Sequence, residues 1–179
     1  MKRYLFLALS FFYFVNFTSC NTATPEKYFD QAVLNVNMQF GFADDGMLRQ
    51  LESPSVKLDE ATKQPVPMTR NETVKDKIQF TEEALAKVKA LKETAETKVM
   101  LQNSIAVYEF VLPVYKNEYT QLAKLYDDAA PKEQIQKVAQ SIHDKYLPQY
   151  EKLYNQLVGS GKLYADQHAI KVNWGVYGK

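Results

Sequence analysis

From Pro25 onward, apolar residues recur at alternating steps of three and four, the repeat of one helical face. Phe29, Val33, Val36, Phe40, Ala43, Met47 and Leu51 form the first such stripe. Thr24-Pro25 precede it as an N-cap with proline in the first turn. The spacing predicts a helix over 25–52, bent near Asp44-Asp45-Gly46, with Gly41 and Gly46 lowering propensity but leaving the stripe intact. Val74, Ile78, Thr81, Leu85, Val88 and Lys92 carry a second stripe, with Thr81 and Lys92 as polar lapses. They predict a helix over 72–92, capped by Asn71, with Glu82, Glu83, Lys87 and Lys89 largely on its solvated side. A turn over 93–97 leads to a third helix ending near Asp127. Pro131 opens a fourth, whose apolar stripe starts at Ile135, Val138 and Ile142 and which frays or bends at Gly159-Ser160-Gly161 before ending near Ile170. Residues 53–70 hold Pro54, Pro65 and Pro67 without a sustained period. That stretch reads as a long connection, either a plain crossover or a functional loop. The pattern as a whole predicts an all-α fold: a four-helix up-down bundle over 25–172, with a long loop between helices 1 and 2, proline bends in helices 3 and 4, and a short tail over 173–179 containing Trp174.

The segment from Leu112 to Leu122 matches that from Leu147 to Leu157 at Leu, Pro, both Tyr, Gln and the final Leu. Two copies do not make a repeat array. A hairpin explains them better, because Pro113 and Pro148 are equidistant from a turn at Ala130-Pro131 and would lie at one height in antiparallel helices. An interior proline costs about 3 kcal/mol or more. Two at one level either shape the bundle or free carbonyls near Glu109 and Asp144 for a ligand, a water or a tyrosine hydroxyl. Tyr108, Leu112, Tyr115, Tyr119, Leu122 and Tyr126 share a face of the third helix, and Tyr146, Tyr150 and Tyr154 follow in the fourth. Amphipathic packing accounts for such rings, since a boundary tyrosine keeps its ring dry and its oxygen wet. The sharper expectation is an aromatic-walled groove for a partner helix or small ligand, built from Tyr108, Tyr115, Tyr119, Tyr150 and Tyr154.

Ahead of the bundle, Lys2 and Arg3 precede a mostly apolar run from Tyr4 to Phe17, followed by Thr18, Ser19 and Cys20, the chain's one cysteine. This is the layout of an export signal, and the run is shorter than the ~20 residues of a membrane-spanning helix. Phe17-Thr18-Ser19-Cys20 resembles the lipobox of bacterial lipoproteins in its Bacteroidota-type form, with Phe17 where Leu is usual. The resemblance implies diacylglycerol on the Cys20 sulfur, cleavage before Cys20 and acylation of the new amino terminus. It divides the chain into a signal peptide (1–19), a lipid-anchor segment (20–24) and the bundle. An ordinary secretory signal with a cysteine near its end is the alternative.

Composition narrows the function mainly by exclusion. The 22 Lys and Arg balance the 21 Asp and Glu, so the basic footprint of a nucleic-acid binder is missing. With Cys20 acylated, no cysteine remains for disulfides or thiolate ligands, and stability rests on packing. The inward Glu residues and Glu-x-x-His pairs of di-metal bundles do not occur. His143 and His168 are far apart in sequence, and a haem site would have to draw on Met38, Met47 and His168. Nucleophilic catalysis needs a nucleophile, a base and an orienting acid; Ser104 sits on a predicted helix with no such setting. Asp127-Asp128 ends the third helix, where negative charge opposes the helix dipole, a place for a cation or an exposed turn.

The lipobox, the helix bearing Glu118-Tyr119 and the closing Tyr164-Ala165-Asp166-Gln167-His168 together resemble small all-helical surface lipoproteins of Bacteroidota and Leptospira. The resemblance implies a lipid-anchored helical domain and carries over no residue role. The expectation is a non-enzymatic binding or interaction module of the cell envelope, without cofactor or metal, joined to a membrane through lipidated Cys20 and taking a protein or small-molecule ligand. The outer membrane is the expected location, with its face left open. The alternatives are a structural or assembly subunit of an envelope complex and, with no residue constellation behind it, a metal- or haem-binding bundle.

Overall fold

A computed structural model describes residues 23–174. Cys20, the apolar run before it and the last five residues lie outside them. The described chain is mostly helical, as the stripes require. In chain order it contains α1 (Pro25–Ala32), a 3₁₀ segment (Leu34–Gln39), α2 (Asp45–Glu52), strands β1 (Val56–Leu58) and β2 (Pro65–Pro67), α3 (Arg70–Lys89), α4 (Lys98–Val114), a single π-helical turn (Tyr115–Tyr119), α5 (Thr120–Asp127) and α6 (Lys132–Gln167). Helix α4 packs on both α3 and α6, and α5 continues the same rod against α3. Among the described residues no helix is long and apolar enough to cross a membrane.

The first predicted helix is three pieces. Phe29, Val33, Val36, Ala43, Met47 and Leu51 are buried as their stripe requires, but Phe40 is turned out and Phe42 enters the core instead. The reason lies in the two glycines. Gly41 has φ +79°, and a Cβ there would stand 2.6 Å from the Gly46 Cα, so the backbone crosses itself at van der Waals contact and the helix cannot run through. Thr81, a polar lapse in the second stripe, is fully buried, donates to the Lys77 carbonyl (2.6 Å) and accepts from Gln39 Nε2 (3.1 Å).

Residues 53–70 are not a featureless connection. They form an antiparallel hairpin with Val56 opposite Pro67, Lys57 opposite Val66 and Leu58 opposite Pro65. Asp59 Oδ1 closes its turn by accepting the Ala61 and Thr62 amides. Helix α3 then starts at a Thr69/Glu72 capping box, not at an Asn71 cap. Asp127, expected at an exposed turn, caps α3 from across the fold. Its oxygens accept the Arg70 and Asn71 amides (2.9 and 3.0 Å) and the Asn71 side chain (3.0 Å). With Thr69 taking the Glu72 and Thr73 amides, all four first-turn donors are satisfied. Asp128 pairs with Lys124.

Pro113 lies inside α4, two residues before the π-helical turn, and Pro148 lies inside the unbroken α6. Nor does α6 fray at Gly159-Ser160-Gly161. A Cβ on buried Gly161 would stand 3.0 Å from Val33 Cγ2 and 3.6 Å from Trp174, so the residue read as a break is where the Val33 side chain and the tail pack against α6. Trp174 packs edge-on against Phe29 at 5.7 Å.

Candidate functional site

The loop over 40–46 organises two opposite surfaces. Its inward residue, Phe42, is fully buried and meets Tyr150 at 5.0 Å, Tyr115 at 5.4 Å, Tyr119 at 5.9 Å and Phe110 at 6.1 Å between ring centroids. Tyr115 and Tyr119 are the first and last residues of the π-helical turn and, four apart, lie on one side of it with rings 5.3 Å apart. The Thr120 hydroxyl donates to the Tyr115 carbonyl (3.0 Å) within that turn. Such single turns recur at functional sites in helical proteins.

Ala43, the next loop residue, has φ +56°, a left-handed conformation that costs a side-chain-bearing residue about 1–2 kcal/mol. Two side chains hold it there. Its amide donates to the Tyr119 hydroxyl (2.9 Å), and His143 Nδ1 lies 3.0 Å from its carbonyl. A carbonyl only accepts, so His143 carries its proton on Nδ1 in this contact. The Gln39 carbonyl accepts from the Tyr150 hydroxyl (2.9 Å), which fixes the other end of the loop.

The outward residue, Phe40, is 50 % exposed. It stands with Tyr154 between two recesses along α6, and both residues line both of them. One, of about 360 Å³, is walled by Val33, Leu34, Leu157, Val158, Val172 and Trp174, with Asn37 and Asn173 as its polar groups. The other, of about 250 Å³, runs over Gly41, Leu147, Tyr150 and Asn155, with Asp44 and Glu151 at its edge. Tyr154 donates its hydroxyl to Asn37 Oδ1 (3.0 Å) and its ring meets Tyr150 at 5.9 Å. The result is an aromatic groove with an uncharged half and an acidic half.

The five tyrosines expected to wall one groove therefore divide. Tyr115, Tyr119 and Tyr150 converge on Phe42, and Tyr154 reaches the groove beside Tyr150. Tyr108, Tyr115 and Tyr119 are interior residues. Burial raises the hydroxyl pKa of all three well above the usual tyrosine range. Tyr108 stands apart, its hydroxyl buried without a hydrogen-bond partner among the described residues. Leu34, Asn37, Phe40 and Trp174 were not singled out from the sequence. The available signals were the Phe40-Gly41-Phe42 triplet, where two aromatics flank a helix-breaking residue, and a lone tryptophan beyond the last stripe.

A wider hollow of about 640 Å³ on the loop's other side carries Asp44, Asp45, Glu133 and Lys137. No group of three or more His, Cys, Asp and Glu able to hold a metal occurs among the described residues. Met38, Met47 and His168 are not gathered either: Met38 is exposed, Met47 is buried in α2, and His168 stacks on Tyr164 (4.4 Å) beside Glu96. No family model matches the chain, and neither the curated proteins nor the solved structures contain a match to it.

Proposed function

We propose that the chain is a lipid-anchored cell-envelope protein whose helices form an up-down bundle and whose non-enzymatic task is to bind a small, uncharged, largely apolar molecule in the groove beside Phe40. The observation that carries this reading is the outward Phe40, held by a glycine-crossed loop over two adjoining recesses when burial would otherwise have taken it into the core. The volume and the mix of apolar walls with a few amide and hydroxyl groups are those of small-ligand sites. Asn37, Asn173 and Tyr154 supply orientation, and no charged side chain lines the uncharged half, Lys162 Nζ standing outside it over the Trp174 ring at 5.6 Å. Cys20 supplies the tether, through acyl chains that contribute about 0.8 kcal/mol per buried CH₂.

Trp174 is the chain's one tryptophan and it lines the larger recess, so its fluorescence reports occupancy directly. Titrating residues 21–179 with the neutral dye Nile red should shift Trp174 emission saturably, and Phe40→Ala or Tyr154→Ala should abolish the shift, the first without changing the unfolding midpoint and the second with the chain still cooperatively folded. An unsaturable response, or one that both variants retain, removes the groove from consideration. Mass analysis of the amino-terminal peptide tests the tether: a free thiol at Cys20 in the cell-derived protein excludes it.

The assembly-subunit reading has one feature in its favour, the exposed apolar side of the 55–68 hairpin.

A further inference from the structure

The β1–β2 hairpin carries main-chain chemistry that the groove does not use. The Met68 amide donates to the Ser55 carbonyl (2.8 Å) and the Asp59 amide to the Gln64 carbonyl (2.9 Å). With the observed register, those two pairs and Lys57–Val66 are the hydrogen-bonded positions, and Val56–Pro67 and Leu58–Pro65 are the others. Pro65 and Pro67 thus occupy the two β2 positions whose amides would point away from β1, and proline has no amide to offer. The outer edge of β2 is closed to further pairing. The outer edge of β1 is not: the N–H and C=O groups of Val56 and Leu58 point outward, and these residues are 66 % and 67 % exposed. Their side chains share one face with Pro65 and Pro67, all four exposed.

We propose that the open β1 edge is a docking site for an extended segment of another protein, which adds as a third strand with apolar side chains flanking an acidic one. Two residues presenting both a donor and an acceptor along one line fit the main chain of a strand, and the apolar face gives its alternate side chains something to cover. Lys57, between them, selects the partner's charge. Its ammonium is bonded to Glu72 but has three N–H groups, and it lies within reach of a carboxylate directly across the added strand. A second copy is a poor occupant, because two-fold pairing of β1 edges through Val56 and Leu58 centres on Lys57 and sets two ammonium groups face to face. A lipid surface is a poor one too. The hairpin leads into the first turn of α3, whereas α1 is tied to the far end by the Tyr28 hydroxyl donating to the Lys92 carbonyl (2.9 Å). With 20 residues in α3, the two ends are about 30 Å apart. A tether at Cys20, three residues before Ala23, holds the α1 end against the bilayer and the hairpin away from it; this exclusion, unlike the edge chemistry, rests on the lipid-anchor reading.

The test is amide hydrogen exchange of the full anchored chain in nanodiscs, with the synthetic peptide Thr-Val-Glu-Val-Thr as probe. Saturating peptide should slow exchange at Val56 and Leu58 by about tenfold while leaving α3 unchanged. The same peptide with its valine nitrogens methylated should give no protection, and the version with Lys in place of Glu should need several times the concentration. Leu58→Lys, a fully tolerable change at an exposed site, should lose the protection while Met68 and Asp59 exchange as before, which shows the hairpin intact. Absence of protection overturns the proposal. So does protection that rises with protein concentration in the absence of peptide, which assigns the edge to a second copy, or protection by anionic vesicles, which assigns it to lipid. None of these outcomes depends on Trp174 or the groove.

Discussion

Phe40 and Phe42 are two residues apart on one loop and end in opposite environments, one half in solvent over a groove and the other sealed among three tyrosines and a phenylalanine. In a regular helix, residues two apart differ by about 200° in direction, and the stripe put Phe40 inside. Gly41 at φ +79° exchanges the two. The inner side of the loop is therefore a stability device and the outer side a recognition device. The comparison breaks cleanly if the same substitution on each side has the same effect.

The largest expected effect is Phe42→Ala. Removing a fully buried phenylalanine costs about 3–5 kcal/mol, and with four ring partners on three helical elements the space has little chance to collapse. Urea unfolding should show that loss, whereas Phe40→Ala should stay within about 0.5 kcal/mol and affect only groove occupancy. Comparable losses at the two sites would remove the distinction between them.

Gly46→Ala comes next. Its Cβ would stand 2.7 Å from the Gly41 Cα, a backbone atom that cannot rotate aside. The cost should be about 1–3 kcal/mol, as for other overpacked sites. Because relief of the clash requires the loop to open, Nile red binding at Trp174 should weaken in the same variant. Gly159→Ala is the control, with nothing within 4 Å of its added methyl; it should be neutral or slightly stabilising, as alanine replaces glycine in a helix interior.

What the sequence disclosed and what it hid follow from the same loop. Stripes of three and four report which residues a helix buries, and they located α3, α4 and α6 within a few residues and all of the first stripe's interior but Phe40. They are silent on backbone crossings, so the division of 25–52 into three pieces, which depends on Gly41 meeting Gly46 in space, could not be read from propensity. The duplicated Leu-Pro-x-Tyr segments drew attention to the right rings for an incomplete reason. Tyr115 and Tyr150 are equivalent, both closing on Phe42, but Tyr119 is buried where its counterpart Tyr154 is half-exposed. The two copies differ in winding as well, since only the first contains a π-helical turn. Asp127 was legible as a mismatch at its own helix end; its partner, the start of α3, is 57 residues away and had no sequence signal.

Two tyrosines sharpen the comparison within the core itself. Tyr119 gives its oxygen to the Ala43 amide, so Tyr119→Phe strands a buried donor and should cost about 1–3 kcal/mol. Tyr108→Phe removes a buried hydroxyl that has no partner among the described residues, and should be neutral or stabilising. Thermal unfolding of the pair separates them. If Tyr119→Phe is as harmless as Tyr108→Phe, the left-handed Ala43 is held by His143 and packing alone, and the hydroxyl contributes nothing to keeping Phe40 outside.

The smallest loss is expected away from the loop, at Asp127, which caps the start of α3. Burial by itself would raise its carboxyl pKa, but the amides of Arg70 and Asn71, with the Asn71 side chain, outweigh this and hold the pKa below the ordinary aspartate value of 3.8. A carboxylate whose pKa is lower folded than unfolded binds more protons in the unfolded state, so its contribution is complete above the unfolded value and is lost as pH falls through the folded one. Asp127→Ala should therefore destabilise by about 1 kcal/mol at neutral pH, the usual worth of a cap, and the difference from the unaltered chain should shrink below about pH 4. Asp127→Asn, which keeps an acceptor but no charge, should fall between the two and show a flatter acid limb. A difference that persists unchanged into acid would mean that α3 is started by the Thr69/Glu72 box alone, with Asp127 merely nearby.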